Sequence, residues 1–196
     1  MTSVDPSRTR CKWSERDELY RQYHDEEWGF PSHDDRHLFE MLALSGFQAG
    51  LSWHMILKKR PAFREAFEGF DPAVVATFDE ARVAALSTDP GIVRNAQKIK
   101  AVVLNARAVL GVRSRHESFS AYLWQFTDAK TLVNYPLSDQ EVASVSPEAQ
   151  AMSKSLIQSG FKFVGPTICY AFMQSVGMID DHISDCWRKK PSEIFL

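Results

Sequence analysis

Four residues near the two ends of the chain carry metal-binding chemistry: Cys11 and His24 on one side, His182 and Cys186 on the other. A closed zinc site takes four soft or borderline ligands in a tetrahedron, and two Cys with two His is a common set. His182 and Cys186 are four apart, so on a helix they share a face. Cys11 and His24 are too widely separated to form a knuckle by themselves. From spacing alone a second reading stands beside this one: two ordinary buried thiols and two unrelated histidines, since free Cys is often simply core.

Two further stretches pattern as nucleic-acid contacts. Gly160-Phe161-Lys162-Phe163-Val164-Gly165-Pro166 lies between a capped helix from about Ser146 to Ser159 and an apolar helix beginning near Pro166. A tight Gly-containing turn of this kind, with Lys162 and Gly165 in it, presents backbone N–H groups that suit a phosphate and need no base sequence. The alternative is an αα-corner with no ligand. Asp89-Pro90-Gly91-Ile92-Val93-Arg94-Asn95 is a second such candidate, with Val93 where a further turn Gly would stand. Gln48-Ala49-Gly50-Leu51-Ser52-Trp53, beside Lys58-Lys59-Arg60 and Arg64, pairs a small-residue turn with a basic cluster. Leu51 there is placed to wedge a base stack, and Trp13, Tyr23 and Trp53 offer flat walls for a base. Against this, aromatics are mostly core and a Lys-Lys-Arg run is usually a solvated helix end. Walker loops, Gly-x-Gly-x-x-Gly, Gly-x-Ser-x-Gly and His-Glu-x-x-His strings are absent. The acid pairs Asp34-Asp35 and Asp180-Asp181 are sequence neighbours, and neighbours on a helix do not face one another.

The elements that must position these residues read as helices. Asp71-Pro72 and Ser146-Pro147 are N-caps followed by Pro at the first helical position. Thr77 to Glu80 and Ser138 to Glu141 read as capping boxes. Apolar residues recur at three and four, as in Leu38, Met41, Leu42 and in Val102, Val103, Ala106, Val109. Period-two alternation is not sustained. An all-α domain of roughly eight short helices is expected over residues 1–196, with about 1–30 and 180–196 packing together as a terminal subdomain. The 196 residues hold 44% hydrophobic and 24% charged residues, ordinary for a globular chain that needs no disulfide staples. A formal net charge of -2 excludes a wholly basic nucleic-acid coat but not a local basic face. No apolar run reaches a membrane span, and Met1 to Arg10 lack an apolar leader core. Three cysteines fit a reducing compartment, so a cytoplasmic location is expected.

Taken together, Cys11-Lys12-Trp13, Tyr23 to Gly29, Leu38 to Met41, Gln48 to Trp53, Asp89 to Asn95, Gly160 to Gln174 and Asp181-His182 with Cys186 resemble the bacterial 3-methyladenine DNA glycosylase I family, from about residue 10 to about 187. The resemblance implies an all-α helix-hairpin-helix glycosylase. Such an enzyme flips an alkylated purine out of double-stranded DNA and hydrolyses its N-glycosidic bond. A lyase step is not expected, since no Lys occupies a position assignable as a Schiff-base nucleophile. The resemblance also implies one structural zinc on Cys11, His24, His182 and Cys186, tying the chain ends together. It further implies a base pocket containing Trp13, Tyr23 and Trp53, and a monomer is expected. Two positions depart from the family's pattern. Members read Glu-Gly-x-Gln-Ala-Gly where this chain reads Ser45-Gly46-Phe47-Gln48-Ala49-Gly50, and that Glu contacts the base. A Ser hydroxyl is shorter and neutral where a cationic base favours a carboxylate. At Asp180 members commonly carry Asn, whereas related glycosylases of the superfamily place a catalytic Asp at about this point. Asp180 is therefore a candidate catalytic carboxylate, with a surface acid near the metal loop as the alternative. These departures leave open a homologue that binds DNA or damaged bases without excising them.

Overall fold

In a computed structural model, residues 8–189 are described. The outermost residues of the expected terminal subdomain, and most of the segment read for a leader, lie outside them. The centre of the fold is α2 (Asp35–Gln48), whose residues from Leu38 to Phe47 are all buried. A helix apolar on nearly every side must be surrounded. It packs against α3 (Trp53–Ala66), α6 (Ala96–Arg113), α7 (Phe119–Trp124) and α9 (Pro166–Ser175). Phe47, Phe63 and Phe67 interlock at one end of it, with Phe47 and Phe63 ring centroids 4.6 Å apart. The remaining helices are α1 (Glu18–Glu26), α4 (Pro72–Val75), α5 (Glu80–Leu86) and α8 (Pro147–Gln158).

Helix starts follow local chemistry. Each of α1 to α8 has an Asp, Asn or Ser at its N-cap whose side chain accepts a first-turn N–H, filling donors the helix itself leaves unpaired. Among the α-helices of the described residues, α9 alone lacks such a cap: Gly165 stands there, followed by Pro166. Two sequence expectations shift. The cap of α5 is Asp79, accepting from the Arg82 N–H at 2.8 Å, while Thr77 bonds back to the Val74 carbonyl. A carboxylate one residue from the helix outcompetes a hydroxyl three residues away. Ser138 to Glu141 forms only a 3-10 turn, in which Glu141 accepts from the Leu137 N–H.

The chain is not purely helical. Leu132–Val133 (β1) and Ile179–Asp180 (β2) form a two-residue parallel bridge, Leu132 opposite Ile179. It anchors the strand that leaves α9. Gly177, at φ +74, lets that exit press on the α1–α2 connection: a Cβ there would lie 2.3 Å from the Pro31 nitrogen. This close approach carries residues 180–182 into the middle of the molecule, facing the N-terminal segment.

Candidate active site and metal centre

A cavity of about 300 Å³ opens where the N-terminal segment, α2, α3 and α9 meet. Five aromatic side chains wall it: Trp13, Tyr20, Tyr23, Trp28 and Trp53. They stack edge-on rather than face-to-face, Trp13 against Trp28 at 5.1 Å and 79° and against Tyr20 at 5.4 Å and 88°, the arrangement aromatic quadrupoles favour. Edge packing leaves faces free for a flat guest. The polar lining is Ser45, Gln48, Asp139, Gln174, Ser175 and Asp181. The sequence reading named Trp13, Tyr23, Trp53 and Ser45. It missed Tyr20, Trp28, Gln48, Asp139, Gln174 and Asp181, which come from four separate segments.

Burial pushes the Tyr23 phenol well up, and the nearby Glu27 adds to this, so Tyr23 stays protonated at neutral pH. Behind it, Arg60 donates to Glu40 at 2.7 Å and to Glu27 at 2.6 Å, and Arg64 donates to Glu40 at 2.6 Å. Burial works to raise the Glu40 carboxyl. Bonds from His37, Arg64 and Arg60 overcome it and hold the group well below the usual carboxylate range. Glu40 is thus occupied behind the cavity rather than in it. Ser45 is buried, and its hydroxyl donates to the Met41 carbonyl at 2.8 Å.

Asp180, the expected catalytic carboxylate, does not line the cavity. It accepts from the His182 N–H at 3.0 Å and lies 3.4 Å from Lys189 Nζ, bracing the loop that carries His182. Strand geometry accounts for this placement: Asp180 ends β2, and successive side chains of extended chain point to opposite faces. The next residue, Asp181, is the one that lines the cavity. It accepts from Asn134 Nδ2, the Tyr170 hydroxyl and Gln174 Nε2, each at 2.7 Å. Burial and this bond to Asp181 push the Tyr170 phenol up, keeping it a donor.

Beside the cavity, Cys11, His24, His182 and Cys186 converge, all buried, with their candidate ligand atoms within 4.8 Å of one another. Cys186 Sγ lies 3.4 Å from His24 Nε2 and 3.6 Å from His182 Nδ1, and Cys11 Sγ lies 3.6 Å from His182 Nδ1. His24 Nδ1 meets Asp25 at 2.8 Å, and Asp25 is held by Arg10. That bond fixes the ring with Nε2 turned inward, the outer-shell arrangement typical of ligating histidines. His182 Nε2, buried and without a hydrogen-bond partner among the described residues, rests where a Cβ on Gly29 would be 2.9 Å away. A histidine so placed has its one useful nitrogen, Nδ1, aimed into the cluster. The group could hold a metal ion.

Leu51 is half-buried at the turn between α2 and α3, with Gly50 beside it at φ +78. Lys98 Nζ donates to the carbonyls of Phe47 and Ala49 at 2.9 and 2.6 Å, clamping this turn. The α8–α9 turn exposes Lys162 and Phe163 and is braced by Asn105, which accepts from the Lys162 N–H at 2.7 Å and donates to its carbonyl at 3.0 Å. Val164 O is held by Ser153 at 2.6 Å. In the second turn candidate, Asn95 simply caps α6.

The fold is that of solved 3-methyladenine DNA glycosylases. A structure of 3-methyladenine DNA glycosylase I from Staphylococcus aureus, determined to explain 3-methyladenine recognition, superposes with a TM-score of 0.89 at 37% identity over 93% of this chain and 97% of that one. The chain belongs to the methyladenine glycosylase family, whose model matches residues 13–189. It is 45% identical over 177 residues to DNA-3-methyladenine glycosylase 1 of Escherichia coli, covering 90% of this chain and 95% of that protein. To the DNA-3-methyladenine glycosylase of Haemophilus influenzae it is 43% identical over 178 residues, covering 91% and 96%.

Proposed function

We propose that this protein is a DNA repair glycosylase that excises 3-methyladenine from double-stranded DNA by hydrolysis, with no lyase step. The observation that carries the reading is the cavity itself: five aromatic walls and two carboxylates, Asp139 and Asp181, sized for one flat base, in a chain of this family. Methylation at N3 makes the base cationic and a good leaving group. The protein's work is then to extract the nucleotide and stabilise the sugar as the bond breaks. Unstacking costs a few kcal/mol. Leu51, on its clamped turn, wedges the vacated stack. Trp13, Tyr23 and Trp53 stack on the extruded base, with Ser45 contacting its edge. Asp181, rather than Asp180, faces the developing sugar cation. The α8–α9 turn meets backbone phosphate with Lys162 and with the uncapped first turn of α9 at Gly165.

The four-residue cluster fits one structural zinc. Typical Zn–S and Zn–N lengths give S···N tetrahedral edges of about 3.5 Å, against 3.4 to 3.6 Å for three S···N pairs here, with all four ligand atoms within 4.8 Å of one another. Such an ion supplies a cross-link between the chain ends and takes no part in bond breaking. The reading is of a monomer, acting on DNA in the bacterial cytoplasm. No helix among the described residues is long and apolar enough to cross a membrane.

Incubation with methylated duplex DNA, with chromatography of the released bases and a gel shift on the same duplex, tests the reading. Release of free 3-methyladenine is expected. A shift without release favours the alternative of a binding-only homologue, for which the neutral, backbone-tied Ser45 is the supporting observation.

A further inference from the structure

Two carboxylates line the cavity, and their hydrogen-bonding states differ. Asp181 takes three donors and is almost wholly buried. Its acceptor capacity is largely spent within the protein. Asp139, on the 3-10 turn at Asp139–Glu141, is half-buried and takes one hydrogen bond, from the Trp13 N–H to Oδ2 at 3.0 Å. Its Oδ1 takes none from the described residues. The same bond fastens the carboxylate to the residue whose ring forms an aromatic wall, so charge and stacking surface hold a common register. Ser45, also in the lining, is uncharged.

We propose that Asp139 is the specificity-determining residue that selects a positively charged purine over its neutral counterparts. The proposal rests on the excision reading above. Its electrostatics give it a distinctive signature. The substrate base is a cation. When the C1′–N9 bond breaks, its electron pair goes to the base, which leaves neutral, and the positive charge passes to the sugar. A carboxylate beside the base therefore attracts the bound substrate more than the departing product. Removing it weakens capture of the charged lesion without removing stabilisation of the sugar cation, so the loss falls on KM rather than kcat.

Asp139→Asn is the test, because Asn Oδ1 still accepts the Trp13 N–H and the turn keeps its shape. A charge-assisted hydrogen bond contributes enough that KM for duplex DNA carrying 3-methyladenine should rise about ten- to a hundred-fold. Affinity for the free neutral base should change less than threefold, with melting temperature unaltered. Placing a carboxylate elsewhere in the lining, Ser45→Glu in the Asp139→Asn background, should reverse most of the rise in KM. An unchanged KM in Asp139→Asn, or an equal loss of affinity for the free base, overturns the proposal while wild-type release continues. Absence of release by the wild type overturns instead the excision reading on which it rests.

Discussion

The two adjacent acids of the loop after α9 divide their labour by which way the chain turns each of them. Asp181 lies in the cavity lining and Asp180 braces the ligand loop. Asp181→Asn should lower the rate of 3-methyladenine release by roughly two decades, the scale on which a placed charge stabilises a developing one. Asp180→Asn should leave release within a few-fold of wild type while lowering stability. Single-turnover rates and a denaturant melt on both variants check this, and a larger rate loss in Asp180→Asn reverses the assignment. Glu40 offers a second test at this scale. Its carboxyl is depressed in the folded state, so its stabilisation is complete above the ordinary value of 4.5 and drains away as pH falls below it. Glu40→Gln breaks a buried pair with Arg60 and should cost about 3–5 kcal/mol at pH 7. Between pH 7 and pH 3 the variant should lose less stability than wild type. Residue types were legible in the sequence here, but side-chain direction was not. Nothing in the string Ile-Asp-Asp-His says which Asp a two-residue bridge turns inward.

At the scale of elements, punctuation was legible where a cap and a proline fell together, as at Asp71-Pro72 and Ser146-Pro147. It misled where a hydroxyl and a Glu stood at the right spacing but a nearer Asp did the capping, as at Asp79. The clamp on the Gln48 to Trp53 turn had no sequence signal. Lys98 lies in the first turn of α6, where a cation opposes the dipole of its own helix, and it is there because the carbonyl end of α2 faces it. Lys98→Met keeps the aliphatic stem and removes both bonds. It should destabilise by about 1.5–3 kcal/mol, the scale of hydrogen bonds from a charged donor. Base release should fall further than the unfolded fraction explains, because the turn carrying Leu51 loses its anchor. Thermal melts beside release rates at a temperature where the variant is folded check this. A rate loss that only follows unfolding makes Lys98 a packing residue.

For the whole molecule, the helical core was legible from periodicity, whereas the gathering of Cys11, His24, His182 and Cys186 followed from the family resemblance, their spacing alone leaving two readings open. The cavity was only partly so, since its lining comes from residues 13–53, 139–142 and 171–181 and no local pattern links them. Tertiary contacts at such separations leave no mark on neighbouring residues. If the cluster holds zinc, chelation should lower the melting temperature by several degrees, and readdition should restore it. Cys186→Ala should melt at the chelated protein's temperature and ignore chelator. Elemental analysis of the protein as purified completes the test, with one zinc per chain expected.

The placement of those ligands also sets an order of events during synthesis. Cys11 and His24 leave the ribosome early and helices α2 to α7 follow, but the face of α2 that packs on α9 stays uncovered until α9 has emerged. The cavity cannot close until Asp181 has emerged, nor the cluster until Cys186 has followed. A nascent chain therefore carries its aromatic residues and a half-set of ligands without a finished pocket, and a chain broken off before residue 181 has no grip on a flipped base. The proposed grip on a base therefore waits on residue 181, and the complete set of metal ligands on residue 186.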